Sequence, residues 1–144
     1  MSDAMPTTTL AGVLNTYFQG LTDVKIGLNT SPTPPNSTTM TFGNIVEPTG
    51  TWYSRVDAVV NEAYLNAAGQ IEVDCDSVQF NYGSDSTSAS ETIFGYFVAT
   101  VPSGSMGLPT LISQGVLATP VVMANNLNAV TVEPNIEVNP ITLS

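Results

Sequence analysis

The residues best equipped for chemistry lie in the run I-E-V-D-C-D at positions 71–76. Glu72, Asp74 and Asp76 alternate with Ile71, Val73 and Cys75, so a strand here sets the acids on one face and the apolar side chains on the other. Carboxylates in a row suit a hard cation such as Ca²⁺. Along a strand, though, same-face side chains stand about 7 Å apart, and no EF-hand-type loop follows. The run reads as a solvated strand face. Asp85, Ser86, Ser88 and Ser90 read the same way. Two carboxyl groups held at a set separation hydrolyse glycosides, but nothing in the spacing fixes such a pair.

Nucleophiles fare no better. Cys75 is the one cysteine, so no intrachain disulfide forms, and the chain has no histidine. A reactive thiol wants a cation or histidine beside it; Cys75 has Asp74 and Asp76, and reads as a small buried hydrophobe. Ser-His-Asp chemistry is excluded by the missing histidine, and Ser-Lys chemistry has only Lys25, in an expected strand. The glycine-bearing run at 103–107, S-G-S-M-G, lacks the lysine and the following helix of a phosphate loop and reads as a connecting loop. Trp52, Tyr53 and Tyr64 fit either a sugar platform or the filling of a core, and the core reading is followed here. The expectation is a protein without enzymatic activity, cofactor or metal.

The elements that would position these residues follow from composition. Apolar residues make up 42% of the 144, and charged residues only 10%, against roughly 25% in ordinary soluble domains. Thr, Ser, Asn, Gly and Pro take the place of charge. They favour strands and turns over helices. Twelve acids face two bases, Lys25 and Arg55, for a net charge of −10. Nucleic-acid binding needs a basic footprint, so neither nucleic acid nor an anionic membrane is an expected partner. The acid balance serves solubility or matches a basic protein. No apolar stretch reaches the length of a membrane span, and the opening M-S-D-A-M-P lacks the pattern of a secretory leader.

Residues 1–9 read as a loose polar arm. Residues 10–21 place Leu10, Val13, Leu14, Tyr17, Phe18 and Leu21 at helical spacing, with Thr9 to cap the start and Gly20 near the end. This stripe has two readings: a short helix packed on its own sandwich, or an apolar arm ordered against a partner. The chain accordingly divides into an arm or short helix over 1–22 and a β-sandwich over 23–144. Residues 24–29 alternate as a first strand. Residues 31–39 carry Pro32, Pro34 and Pro35 and form an exposed loop. Residues 40–46 follow as a short strand or loop edge, and 48–50 as a turn. A hairpin turn at 67–70 leads into 71–76, and 77–82 continues with Val78, Phe80 and Tyr82 on one face. The parity changes at Asp76–Ser77, which marks a bulge or break. Residues 91–100, E-T-I-F-G-Y-F-V-A-T, are the densest β-type run and read as the central strand, with Gly95 at a bulge or close approach. Residues 111–117 and 121–124 read as two strands separated by Pro120, and 125–126 as a turn. Residues 127–132 are a strand, with 136–138 and 141–143 as its extension or tail. Short strands at roughly ten-residue spacing predict an all-β, single-domain sandwich of jelly-roll type.

The order of these segments resembles a family of small structural proteins of tailed bacteriophages, the head decoration or cement proteins. The matching features run from V-K-I-G-L-N through the Thr/Pro-rich loop, the aromatic strand after P-T-G and the paired strand I-E-V-D-C-D-S-V-Q-F. They continue into I-F-G-Y-F-V at 93–98 and close on V-T-V at 130–132. The resemblance implies a virion component on the capsid exterior that binds the major capsid protein and reinforces the shell. It further implies a homo-oligomer, a trimer by preference. Extended arms suit such a role, because multivalent display multiplies a modest single-site affinity. The expected contacts are Leu10, Val13, Leu14, Tyr17, Phe18 and Leu21, with the loop prolines Pro32, Pro34 and Pro35. The alternatives are a tail, neck or fibre-associated phage protein, and a carbohydrate-binding or adhesin sandwich.

Overall fold

A computed structural model describes residues 5–21, 23–32, 43, 45–84, 87–100 and 110–138. Among the described residues one helix, α1 (Thr7–Gln19), precedes nine strands: β1 (Val24–Asn29), β2 (Val56–Asp57), β3 (Tyr64–Leu65), β4 (Ile71–Asp74), β5 (Val78–Asn81), β6 (Glu91–Thr100), β7 (Thr110–Met123), β8 (Ala129–Val132) and β9 (Asn135–Val138). All pairings are antiparallel. They make a four-stranded sheet in the order β2-β1-β6-β7, a three-stranded sheet β3-β4-β9 and a two-stranded sheet β5-β8.

The two smaller sheets are successive stretches of one bent ribbon. β4 pairs β9 with Ile71 opposite Val138 and Asp74 opposite Asn135. β5 pairs β8 with Val78 opposite Val132 and Asn81 opposite Ala129. Between them the register slips by one residue, and the Cys75 amide bonds the Pro134 carbonyl at 2.9 Å. This is the break expected at Asp76–Ser77. Because side chains alternate with period two, the slip lets Val73 and Cys75 on one side of it, and Phe80 and Tyr82 on the other, all turn inward.

The ribbon packs on the four-stranded sheet as an all-β sandwich; the pairings do not by themselves spell a jelly roll. Val24, Ile26 and Leu28 of β1, Ile93 and Val98 of β6 and Met123 of β7 meet Cys75, Phe80, Tyr82, Val130 and Val132. Each large aliphatic or aromatic side chain so buried contributes about 1.5–3 kcal/mol relative to exposure. Trp52 and Tyr53 close one margin of this core: Tyr53 stacks on Phe80 at 5.9 Å between centroids, and Trp52 lies 6.1 Å from Tyr82.

β6 is the central strand that its composition predicts. It pairs β1 on one side and β7 on the other, and Phe97 and Ala99 are buried on the face opposite Val98. Gly95 takes both roles foreseen for it. The β6–β7 register shifts between Ile93 and Gly95, and a Cβ on Gly95 would collide with the Gly115 carbonyl oxygen.

Three expectations are corrected. Residues 111–117 and 121–124 belong to one strand, because Leu117 to Pro120 bulge opposite the single residue Phe94 and Pro120 falls in that bulge on an edge strand. Residues 136–138 do not prolong β8 but cross to β4. The helix starts at Thr7 after Pro6, with no side-chain cap, so Thr9 lies in its first turn and not at its cap. Gly20 does end it, and Asp23 (φ 55°), a residue whose short polar side chain tolerates the left-handed region, turns the chain into β1. The segments 33–42, 101–109 and 139–144 fall outside the described residues, and with them the expected strand at 141–143, the loop at 103–107 and most of the Pro-rich loop.

Candidate functional site

The acid row of β4 is built as expected and already satisfied. Tyr64 donates its hydroxyl to Glu72 Oε2 at 2.5 Å, Asn66 Nδ2 donates to Glu72 Oε1 at 2.7 Å, and Asn135 Nδ2 donates to Glu72 Oε2 at 3.1 Å and to Asp74 Oδ1. These donors hold the Glu72 carboxyl at about 2, well below its ordinary value. A carboxylate so stabilised is a poor proton acceptor at neutral pH. Asp76 accepts from Asn61 at 3.0 Å. Among the described residues no group of three or more His, Cys, Asp or Glu side chains is placed to hold a metal ion.

The remaining chemical candidates are structural. Burial, and then Asp74 and Asp76, push the Cys75 thiol up to about 11, which leaves almost no thiolate at neutral pH. Lys25 pairs with Asp57 across β1 and β2. Arg55 pairs with Glu47 at 2.7 Å, and Tyr53 donates to the same carboxylate at 2.6 Å while accepting from the Leu28 amide. Burial raises Glu47, but the bonds from Arg55 and Tyr53 outweigh it and hold the carboxyl below its usual value. Ser88 accepts from the Thr51 amide at 2.7 Å, which pins the segment before β6; Asp85 and Ser86 lie outside the described residues. With Trp52 and Tyr53 packed against the core, a sugar platform is left with Tyr64 alone of its three aromatics.

Exposed apolar side chains are scattered over the described residues, among them Leu127, Val116, Val46 and Val59, and α1 contributes Val13 and Tyr17. Of the helical stripe, Phe18 is buried and offers no area to a partner while the helix is docked, and Leu21 is half-buried against the sandwich core. Val13 and Tyr17, one helical turn apart, are 51% and 53% exposed. Leu10 and Leu14 are half-buried between these extremes. Pro32 is exposed at the end of β1, and Pro34 and Pro35 lie outside the described residues.

The helix sits lightly. Gln19 Nε2 donates to the Val60 carbonyl and the Ala63 amide donates to Asn15 Oδ1, both at 3.3 Å. Between the helix end and the sheet lies a hollow of about 410 Å³ walled by Phe18, Leu21, Val24, Ala58 and Val60. Beside α1 runs β3, whose Tyr64 and Leu65 are each 41% exposed. Val13, Tyr17, Tyr64 and Leu65 therefore give this end of the molecule an apolar outer surface. Sequence reasoning finds the helical half from its periodicity; β3 is two residues long and carries no period to read.

A second feature had no sequence signal. Gln114 of β7 has both its carboxamide atoms shut off from solvent and without a hydrogen-bond partner among the described residues, as is the Trp52 indole N–H. Gln114 forms part of a groove between β7 and β9. Comparison with protein-family models, with curated proteins and with solved structures finds no match to the chain.

Proposed function

We propose that this chain is a non-enzymatic virion structural protein of a tailed bacteriophage, a decoration or cement protein that binds the outer surface of the capsid lattice and stabilises it. The observation that carries this reading is the outer face of α1, where Val13 and Tyr17 stand exposed on a helix anchored by the single buried residue Phe18. An apolar helix face of this kind docks into a groove of a partner as i, i+4 anchors. The segment order described above supports the same reading, as does an acidic surface that keeps a many-copy protein soluble before assembly. The partner on this reading is the major capsid protein, and the chain acts as a homo-oligomer, with a trimer at the local three-fold axes favoured.

The test is co-sedimentation with phage heads stripped of the chain. Wild type pellets with the heads at a copy number on the order of hundreds per particle, as multivalent lattice display requires. Val13→Asp combined with Tyr17→Asp lowers the bound fraction at least tenfold, while the circular dichroism of the sheet is unchanged. Equal binding by the double variant rejects the helix face, and a copy number near a small multiple of the tail symmetry assigns the chain to the tail or neck instead.

A further inference from the structure

We infer that α1 is a self-masking arm, docked on its own sandwich in the free chain and released about residues 20–23 when it binds its partner. The partner's identity here rests on the capsid reading; the release does not. Two faces of the helix carry the inference. The side chains turned toward the sandwich are Thr7, Leu10, Ala11, Leu14 and Asn15, all half-buried, and Phe18, which is buried. Their spacing of i, i+3, i+4, i+7, i+8 and i+11 makes one continuous helical face. The apolar stripe is a different set: Leu10, Val13, Leu14, Tyr17 and Phe18. At 3.6 residues per turn the centres of the two faces lie about 60° apart around the helix axis. The dock therefore takes in a threonine, an alanine and an asparagine and leaves Val13 and Tyr17 outside. A helix made only to cover its own sandwich turns its apolar stripe squarely onto it.

The seat is also loose. Asn15 and Gln19 each tie the helix down by one bond of 3.3 Å, and its N-terminus has no side-chain cap. A hollow of about 410 Å³ remains beside Phe18, where close packing leaves few voids larger than a water. The connector suits a pivot. Gly20 ends the helix, and Asp23, at φ 55°, is the one non-glycine residue of positive φ among the described residues. A few residues at the end of an element are enough to absorb the backbone change of a hinge.

Release changes what a partner meets. Docked, α1 offers Val13 and Tyr17; released, it offers Leu10, Leu14 and Phe18 as well. A ligand shifts a two-state equilibrium only through its differential affinity for the two states, and these three side chains supply that difference. Because only released chains present the whole stripe, the apparent affinity scales with the fraction released. The docked form in turn keeps part of the stripe covered until assembly, when a contiguous apolar patch on a free protein invites association.

The test uses the full chain in two measurements. In native-state amide exchange, residues 11–19 exchange at least a hundredfold faster than β6, through an opening that leaves the sheets protected. Exchange of α1 at the rate of β6 overturns the inference. In co-sedimentation with stripped heads, Asn15→Cys with Ala63→Cys, oxidised to a disulfide, pins the middle of the helix to its dock. Binding then falls at least tenfold and returns on reduction; Cys75 is buried and takes no part. Asn15→Ala with Gln19→Ala removes both dock bonds without touching the stripe, and raises binding at least threefold. Equal binding by the oxidised and reduced chains, or no gain from the alanine pair, overturns the inference in favour of a helix that binds from its docked position. Wild type that fails to bind the heads rejects the capsid reading, and the exchange measurement then decides the release by itself.

Discussion

At the scale of single residues, the protein spends its polar groups on holding strands in place. Glu72 shows this best. Tyr64, then Asn66 and Asn135, donate to it and lower its carboxyl from 4.5 to about 2. A carboxyl depressed on folding adds stability that is complete above the unfolded value and disappears as pH falls through the folded one. The contribution is therefore present above about pH 4.5 and lost on the way down to about pH 2. Tyr64→Phe removes the leading donor. Carbon-13 titration of Glu72 in that variant moves its midpoint up toward 4.5. Its melting temperature falls below wild type at neutral pH and converges with it near pH 2; a parallel offset at every pH would reject the assignment. Gly95 makes the opposite kind of statement, about space. Its missing Cβ admits the Gly115 carbonyl at the β6–β7 bulge, and backbone cannot swing aside as a side-chain tip does. Gly95→Ala costs about 2–3 kcal/mol, at the upper end of overpacking changes, measured by urea unfolding.

At the scale of elements, α1 is an attachment and β6 a keystone. The helix buries one side chain, Phe18, and borrows two long hydrogen bonds from the loops near β3. Phe18→Ala costs about 3 kcal/mol at the dock, more than a 13-residue helix with little intrinsic stability can absorb. The expected result is loss of the helical signal and fast amide exchange across residues 7–19, with the sheet transition kept; cooperative unfolding of the whole chain by this one change would show the helix to be part of the core. These same elements show what the sequence makes legible. β1 and β6 are bounded as predicted because their apolar runs end at turn residues, and the inward faces of β4 and β5 follow from alternation and its change of parity. The sequence divides β7 because a proline reads as a stop in one strand, and only the register with Phe94 shows it absorbed in a bulge. The sequence runs β9 on from β8 because the choice of a strand's neighbour depends on distant residues. The helix stripe was legible as apolar, but which of its members face inward depends on where the helix docks. The groove between β7 and β9 is a relation between two edges, and no local pattern encodes it.

At the scale of the whole molecule, charge is the dominant fact. Twelve acids and two bases give −10, and the two bases each neutralise one local acid, Lys25 with Asp57 and Arg55 with Glu47. The rest repel one another, which favours solubility and disfavours the compact state. Salt acts on the two consequences in opposite directions. Raising NaCl from about 10 mM to 0.5 M shortens the Debye length from about 30 Å to a few ångströms, so the self-repulsion fades. The exposed Lys25–Asp57 pair weakens too, but such pairs are worth at most about 1 kcal/mol. The net effect is a melting temperature that rises by about 2–4 °C, the shift for roughly 1 kcal/mol in a domain near this size. On the proposed capsid reading, association with a basic patch of the partner goes the other way, because salt removes the steering that acid-to-base attraction supplies, and the on-rate falls at least tenfold over the same range. Scanning calorimetry of the free chain and stopped-flow binding to stripped heads measure the two signs separately. A melting temperature that falls with salt would mean that attraction, not repulsion, governs this surface. An on-rate indifferent to salt would leave the apolar helix face as the whole of the recognition and take the acid surface out of partner choice.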